Sequence, residues 1–127
     1  MAGTKTNANP VRMVVDGYAN AAVTAGQYLK EFVVPFACRI AAVMADAGGA
    51  GVGAGNTVIE VLKNGVTVFT TAANRPTLAA ASTGAFANTQ PDITALQPGD
   101  VLSIQIASIP ATSGHTRVKT SVALALQ

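Results

Sequence analysis

Few side chains in this sequence could carry chemistry. There is one histidine, His115, and one cysteine, Cys38. His115 lies in a Ser-Gly-His-Thr stretch and reads as a solvent-exposed loop histidine. A catalytic triad would need it beside a nucleophile and an orienting acid, and nothing local supports that. Cys38 follows an apolar run, between Ala37 and Arg39. It reads as a small buried hydrophobe rather than a reactive thiol, and alone it forms no internal disulfide. Closed zinc sites draw four ligands, mostly His or Cys; one of each with scattered carboxylates is too thin a set. Asp16, Asp46, Asp92 and Asp100 stand apart from one another and adjoin turns, where Asp side chains commonly satisfy backbone amides. The six acidic residues contain no obvious acid/base couple. The glycine-rich run Gly48-Gly-Ala-Gly-Val-Gly-Ala-Gly55 lacks the Gly-Lys-Ser/Thr ending of a phosphate-binding loop, and no amphipathic helix follows it; it reads as a flexible connection. The expectation is therefore no catalytic residue, no cofactor and no metal.

The bulk composition points the same way. Half of the 127 residues are apolar, yet only 11% are charged and 5% aromatic, with no Trp. Average globular proteins carry roughly 25% charged residues. The apolar excess is mostly alanine, and the longest apolar stretch, residues 32–45, is interrupted by Pro35 and Arg39. That is shorter than the roughly 20 residues of a membrane span, so no membrane partner is expected. The net charge is only +2 and the basic residues are scattered, which argues against nucleic acid. The N-terminus shows no secretory signal, making the cytoplasm the default place of synthesis and assembly. So few charges cannot cover a surface in the usual way. The exposed faces must be small and polar or be covered by partners, which raises the expectation of a homo-oligomer or a larger assembly.

The elements follow from periodicity and turn chemistry. Residues 1–10 form a small, polar, flexible arm ending at Pro10, and residues 11–127 form one domain. Strand-like alternation begins at Val11, with Met13 and Val15. A second strand covers residues 28–34, with Tyr28, Phe32 and Val34 on one side and Glu31 on the other. A third covers residues 39–46. The strongest local signal is Thr57-Val-Ile-Glu-Val-Leu-Lys-Asn-Gly-Val-Thr-Val-Phe69, two β-rich runs about Asn64-Gly65. Both turn residues tolerate the positive φ of a type I′ hairpin turn. A short edge-like segment starts at Arg75-Pro76, and residues 79–90 read as a loop. Pro98-Gly99-Asp100 turns into a strand over residues 101–108. The last strand, residues 116–126, alternates most cleanly, with Val118, Val122, Leu124 and Leu126 on one face. Short strands, glycine and proline turns and no long helix indicate an all-β protein: a single antiparallel β-sandwich, jelly-roll-like, with about eight strands.

The hairpin just quoted, then Arg75-Pro-Thr-Leu78, then Gln97-Pro-Gly-Asp-Val-Leu-Ser-Ile-Gln-Ile106, resembles small jelly-roll modules in virion proteins of tailed bacteriophages. That family includes capsid decoration (cement) proteins and related fibre heads. The resemblance covers roughly the second half of the chain. It implies an oligomer, usually a homotrimer, without an active site. One module plus a short arm suits a decoration protein on the outer capsid surface, assembled in the host cytoplasm, with the major capsid protein as partner. The alternative is a receptor-binding or fibre-tip module for cell-surface carbohydrate, weakened by the absence of Trp and the scarcity of Tyr. The capsid-contact candidates are Thr4, Lys5, Thr6, Asn7 and Asn9 of the arm, together with Arg12. Extended segments of this kind can add to a partner's sheet edge.

Overall fold

A computed structural model describes residues 12–82 and 87–126. Its strands form two antiparallel sheets. The first contains β1 (Arg12–Ala19), β10 (Thr116–Leu126), β3 (Cys38–Gly49) and β7 (Ala87–Thr89) in that spatial order, with β8 (Ala95–Leu96) also on β3. The second runs β2 (Tyr28–Val33), β9 (Val101–Ser108), β4 (Asn56–Lys63) and β5 (Val66–Thr67), with β6 (Thr77–Ala79) also on β4. A 3₁₀ turn, Ala72–Asn74, separates β5 from β6.

The order of pairing defines the winding. The first strand lies beside the last and the second beside the penultimate. Because β5 and β6 share one side of β4, and β7 and β8 one side of β3, the ten strands fill about eight places. That is the jelly-roll arrangement the sequence suggested.

Period-2 alternation explains the core. Ile59 and Val61 of β4, and Leu102, Ile104 and Ile106 of β9, point inward from one sheet. Ile40, Val43 and Ala45 of β3, and Val118, Val122 and Leu124 of β10, meet them from the other. Burying each of the larger groups contributes about 1.5–3 kcal/mol. The alanines let the sheets approach at those positions without leaving voids.

The hairpin is as read. Leu62 pairs with Thr67 and Lys63 with Val66, leaving Asn64 at φ 52 and Gly65 at φ 82 between them. Positive φ at both central residues is the type I′ signature.

Three readings need correction. Tyr28 does not share a face with Phe32: the register against β9 shifts between Tyr28 and Lys30, and one extra residue reverses every later side chain. Residues 79–90 are not all loop, since residues 87–89 form β7 on β3. The glycine run is less a free linker than a close-packed seam. Gly48 and Gly49 belong to β3, and a Cβ on either would run into the side chains of Arg117 and Thr116. Gly51 is packed against Pro110 and His115.

Candidate assembly surface

The candidate residues are best taken by chemistry. His115 is fully buried, not exposed as its loop setting suggested. Gly114 makes this possible, because any side chain there would strike the Val23 carbonyl. The ring then spans the two sheets. Its Nε2 lies 2.9 Å from the Ala79 carbonyl oxygen of β6, which can only accept, so Nε2 carries the proton. In the tautomer with that proton on Nε2, Nδ1 accepts from the Thr57 hydroxyl of β4 at 2.6 Å. A hydroxyl held by an imidazole has the outline of a nucleophile and its base. Here both residues are fully buried, the far ring nitrogen is committed to a backbone carbonyl, and no carboxylate orients the ring. The unit is a polar clasp between sheets.

The carboxylates have structural partners. Asp92 accepts from the Thr71 backbone N–H at 2.8 Å, and also from the side chains of Thr71 and Asn74. That backbone bond above all, helped by the side-chain donors, holds its carboxyl below the usual carboxylate range. Asp100 accepts from the Gln97 N–H at 2.8 Å and from Asn64 Nδ2 at 3.0 Å. The Gln97 bond, then Asn64 and the nearby Lys63, lower its carboxyl likewise. Asp46 pairs with Lys119 at 3.3 Å, and Asp16 accepts from the Ser121 hydroxyl. Cys38 is buried, and that burial, with the negative charge of Asp100 second, pushes its thiol up. Among the described residues no cavity opens and no three His, Cys, Asp or Glu side chains gather to hold a metal.

Asn64 does more than turn the hairpin. Its Oδ1 accepts from the Val101 N–H at 2.9 Å while its Nδ2 binds Asp100. The hairpin is thereby tied to the turn that launches β9. This second role was missed in the sequence; its only trace there is an Asn and an Asp at two turns on neighbouring strands.

What remains is surface. Among the described residues three ion pairs, Lys63–Asp100, Arg75–Glu60 and Lys119–Asp46, neutralise charges within the fold. Large apolar side chains stand out between them. Val14 and Tyr18 are 53% and 54% exposed on the outward row of β1, and Tyr28 and Val33 are exposed on β2. On the β1 face the rows continue inward as Val14–Ala123–Ala42 and Asp16–Ser121–Met44, a face of small and apolar groups. Of the arm candidates, Arg12 opens β1 opposite Ala125. Thr4, Lys5, Thr6, Asn7 and Asn9 lie outside the described residues.

No protein-family model and no curated relative matches the chain. A solved structure does. A chain of the "Cyanophage Pam1 capsid asymmetric unit" superposes on this one with a TM-score of 0.60 at 19% identity, over 100% of this chain and 93% of its own. At that identity the likeness is one of fold.

Proposed function

We propose that this chain is a structural virion protein, a capsid decoration protein of a tailed phage. It binds the assembled shell as an oligomer, with the major capsid protein as partner, and does no catalysis. The observation that carries the reading is the near end-to-end likeness to a chain of a phage capsid asymmetric unit. The matched chain is thus itself little more than such a sandwich. The jelly-roll winding and the surface poor in free charge agree with it.

The mechanism is mass action. A partner that binds only the expanded, assembled shell shifts the equilibrium away from rupture. A homotrimer on the outer surface, at a threefold position, would clamp neighbouring capsid subunits. Its arm, residues 1–10, would supply a second contact by ordering on the shell, at an entropic cost of about 1–2 kcal/mol per residue.

Immunogold electron microscopy of virions tests the reading. Label over the whole head is the expected result. Label confined to the tail tip would replace it with a receptor-binding role.

A further inference from the structure

Among the described residues four strand positions are sheet edges: β1 and β7/β8 in one sheet, β2 and β5/β6 in the other. Exposed edges invite pairing with another chain, and proteins blunt them with short strands, bulges and charges. Three of the four are blunted in these ways. β7 and β8 have three and two residues. β5 and β6 have two and three, with the 3₁₀ turn between them. β2 is bulged after Tyr28 and carries exposed Lys30 and Glu31. β1 is the exception in being both long and unbulged, although it too carries an exposed charge, Asp16. Its eight residues pair with β10 without a register shift, and Val14 and Tyr18 project from it more than half exposed.

The direction of its backbone groups follows from the pairing across the sheet. The Ile40 N–H bonds the Thr94 carbonyl at 2.8 Å, so Ile40 of β3 faces away from β10. Alternate residues of an antiparallel strand bond to opposite sides. Leu124, opposite Ile40, therefore bonds toward β1, and Met13, opposite Leu124, faces β10. Val14 and Asp16 present their N–H and C=O groups to the free side.

We infer that this edge pairs with the same edge of a second copy, antiparallel, about a two-fold axis at Val14. Charge selects the register. With Val14 opposite itself, Arg12 of each copy stands opposite Asp16 of the other, which sets opposite charges at facing register positions on either side of an apolar one. Val14 of each copy then exchanges backbone hydrogen bonds with Val14 of the other, and position 12 with position 16, as their parity requires. Sliding the axis to Asp16 sets two carboxylates face to face, and sliding it to Val15 sets Asp16 against Val14. The pairing is isologous and closes on itself. It goes beyond the capsid reading: threefold and twofold axes coexist on an icosahedral shell, so this contact joins neighbouring oligomers rather than building one.

Directly opposed residues that exchange backbone bonds have Cα atoms about 5.5 Å apart, within the range a disulfide spans. Purified Val14→Cys protein, treated with a mild oxidant, is expected to run as a two-chain species on a non-reducing denaturing gel. Val66→Cys, more exposed than Val14 but on a blunted edge, is the control and should remain single-chain. Adding Arg12→Asp to Val14→Cys should slow cross-linking about threefold or more, since like charges directly opposite oppose pairing. Further adding Asp16→Arg should restore it. Equal cross-linking at Val66, or a Val14 cross-link indifferent to the charge at residue 12, overturns the inference. No shell is present in this assay, so its failure leaves the capsid reading standing, and tail-tip labelling of virions would leave this pairing standing.

Discussion

Replacing Thr57 by valine exchanges a hydroxyl for a methyl group of nearly the same shape, at a fully buried position. The His115 Nδ1 acceptor loses its 2.6 Å partner. The ring has no second arrangement to fall back on. Moving the proton to Nδ1 would set the bare Nε2 against the Ala79 carbonyl, 2.9 Å away. One buried acceptor is left unsatisfied, at about 1–3 kcal/mol. An unfolding entropy of about 2.1 cal/mol/K per residue over 127 residues gives roughly 4 °C per kcal/mol, so the expected fall in Tm is about 4–11 °C. Thermal melts followed by circular dichroism at fixed protein concentration measure it. Thr57→Ser is the companion variant: it keeps the hydroxyl, loses one methyl, and should cost about 1 kcal/mol. If Thr57→Val melts within about 1 °C of the parent, or proves milder than Thr57→Ser, the clasp is held by packing rather than by the hydrogen bond, and the argument fails.

Gly65→Val should destabilise by about 1–3 kcal/mol in urea titrations, because a β-branched residue resists φ 82. No neighbour lies where its Cβ would go, so Gly65→Asn, which tolerates that conformation, should recover much of the loss. Asp92 and Asp100 ionise more readily folded than unfolded. Their stabilisation is therefore full above the unfolded value of about 3.9 and is lost as pH falls through the lower folded values. Tm should hold steady down to about pH 5 and then decline in acid, less steeply in the Asp92→Asn/Asp100→Asn double variant. Deleting residues 2–9 should leave the thermal transition unchanged while lowering occupancy on virions stripped of the native protein, measured by pelleting; equal occupancy would remove the arm from the mechanism.

The parts of the fold legible in the sequence are those fixed by neighbours along the chain. Asn64-Gly65 needed only its own backbone preferences and two β-rich flanks. The last strand showed itself because its inward row reads Val118, Thr120, Val122, Leu124. β7 was missed because Ala87-Asn88-Thr89 has no pattern of its own and is a strand only by pairing with residues 43–45 of β3. The bulge in β2 left no mark, since Tyr28-Leu-Lys-Glu-Phe alternates as well for one register as another. His115 looked exposed because its surroundings in sequence are polar. Its burial is decided by Thr57, 58 residues away. One signal was available: Thr57 is the polar member of an inward row completed by Ile59 and Val61, and a buried hydroxyl requires a partner. The candidate assembly surface was legible only as a shortage of charge. Which edge stands open depends on bulges and strand lengths that composition does not encode.

The winding that sets β1 beside β10 also governs when the molecule can exist. Asp16 bonds to Ser121 across 105 positions of chain, and Gly17 to Thr120 across 103. During synthesis β1 leaves the ribosome without its in-sheet neighbour, β10, and the hairpin about Asn64 can close long before that inner strand of the first sheet has been made. Contacts between such distant segments require large loops to close first, which slows folding toward the millisecond-to-second range. Until residues 116–126 emerge, β1 has two open sides instead of one. Nascent chains on a crowded message are therefore most exposed to mispairing through this strand, and a chain cut short before Thr116 has no route to the native sheet.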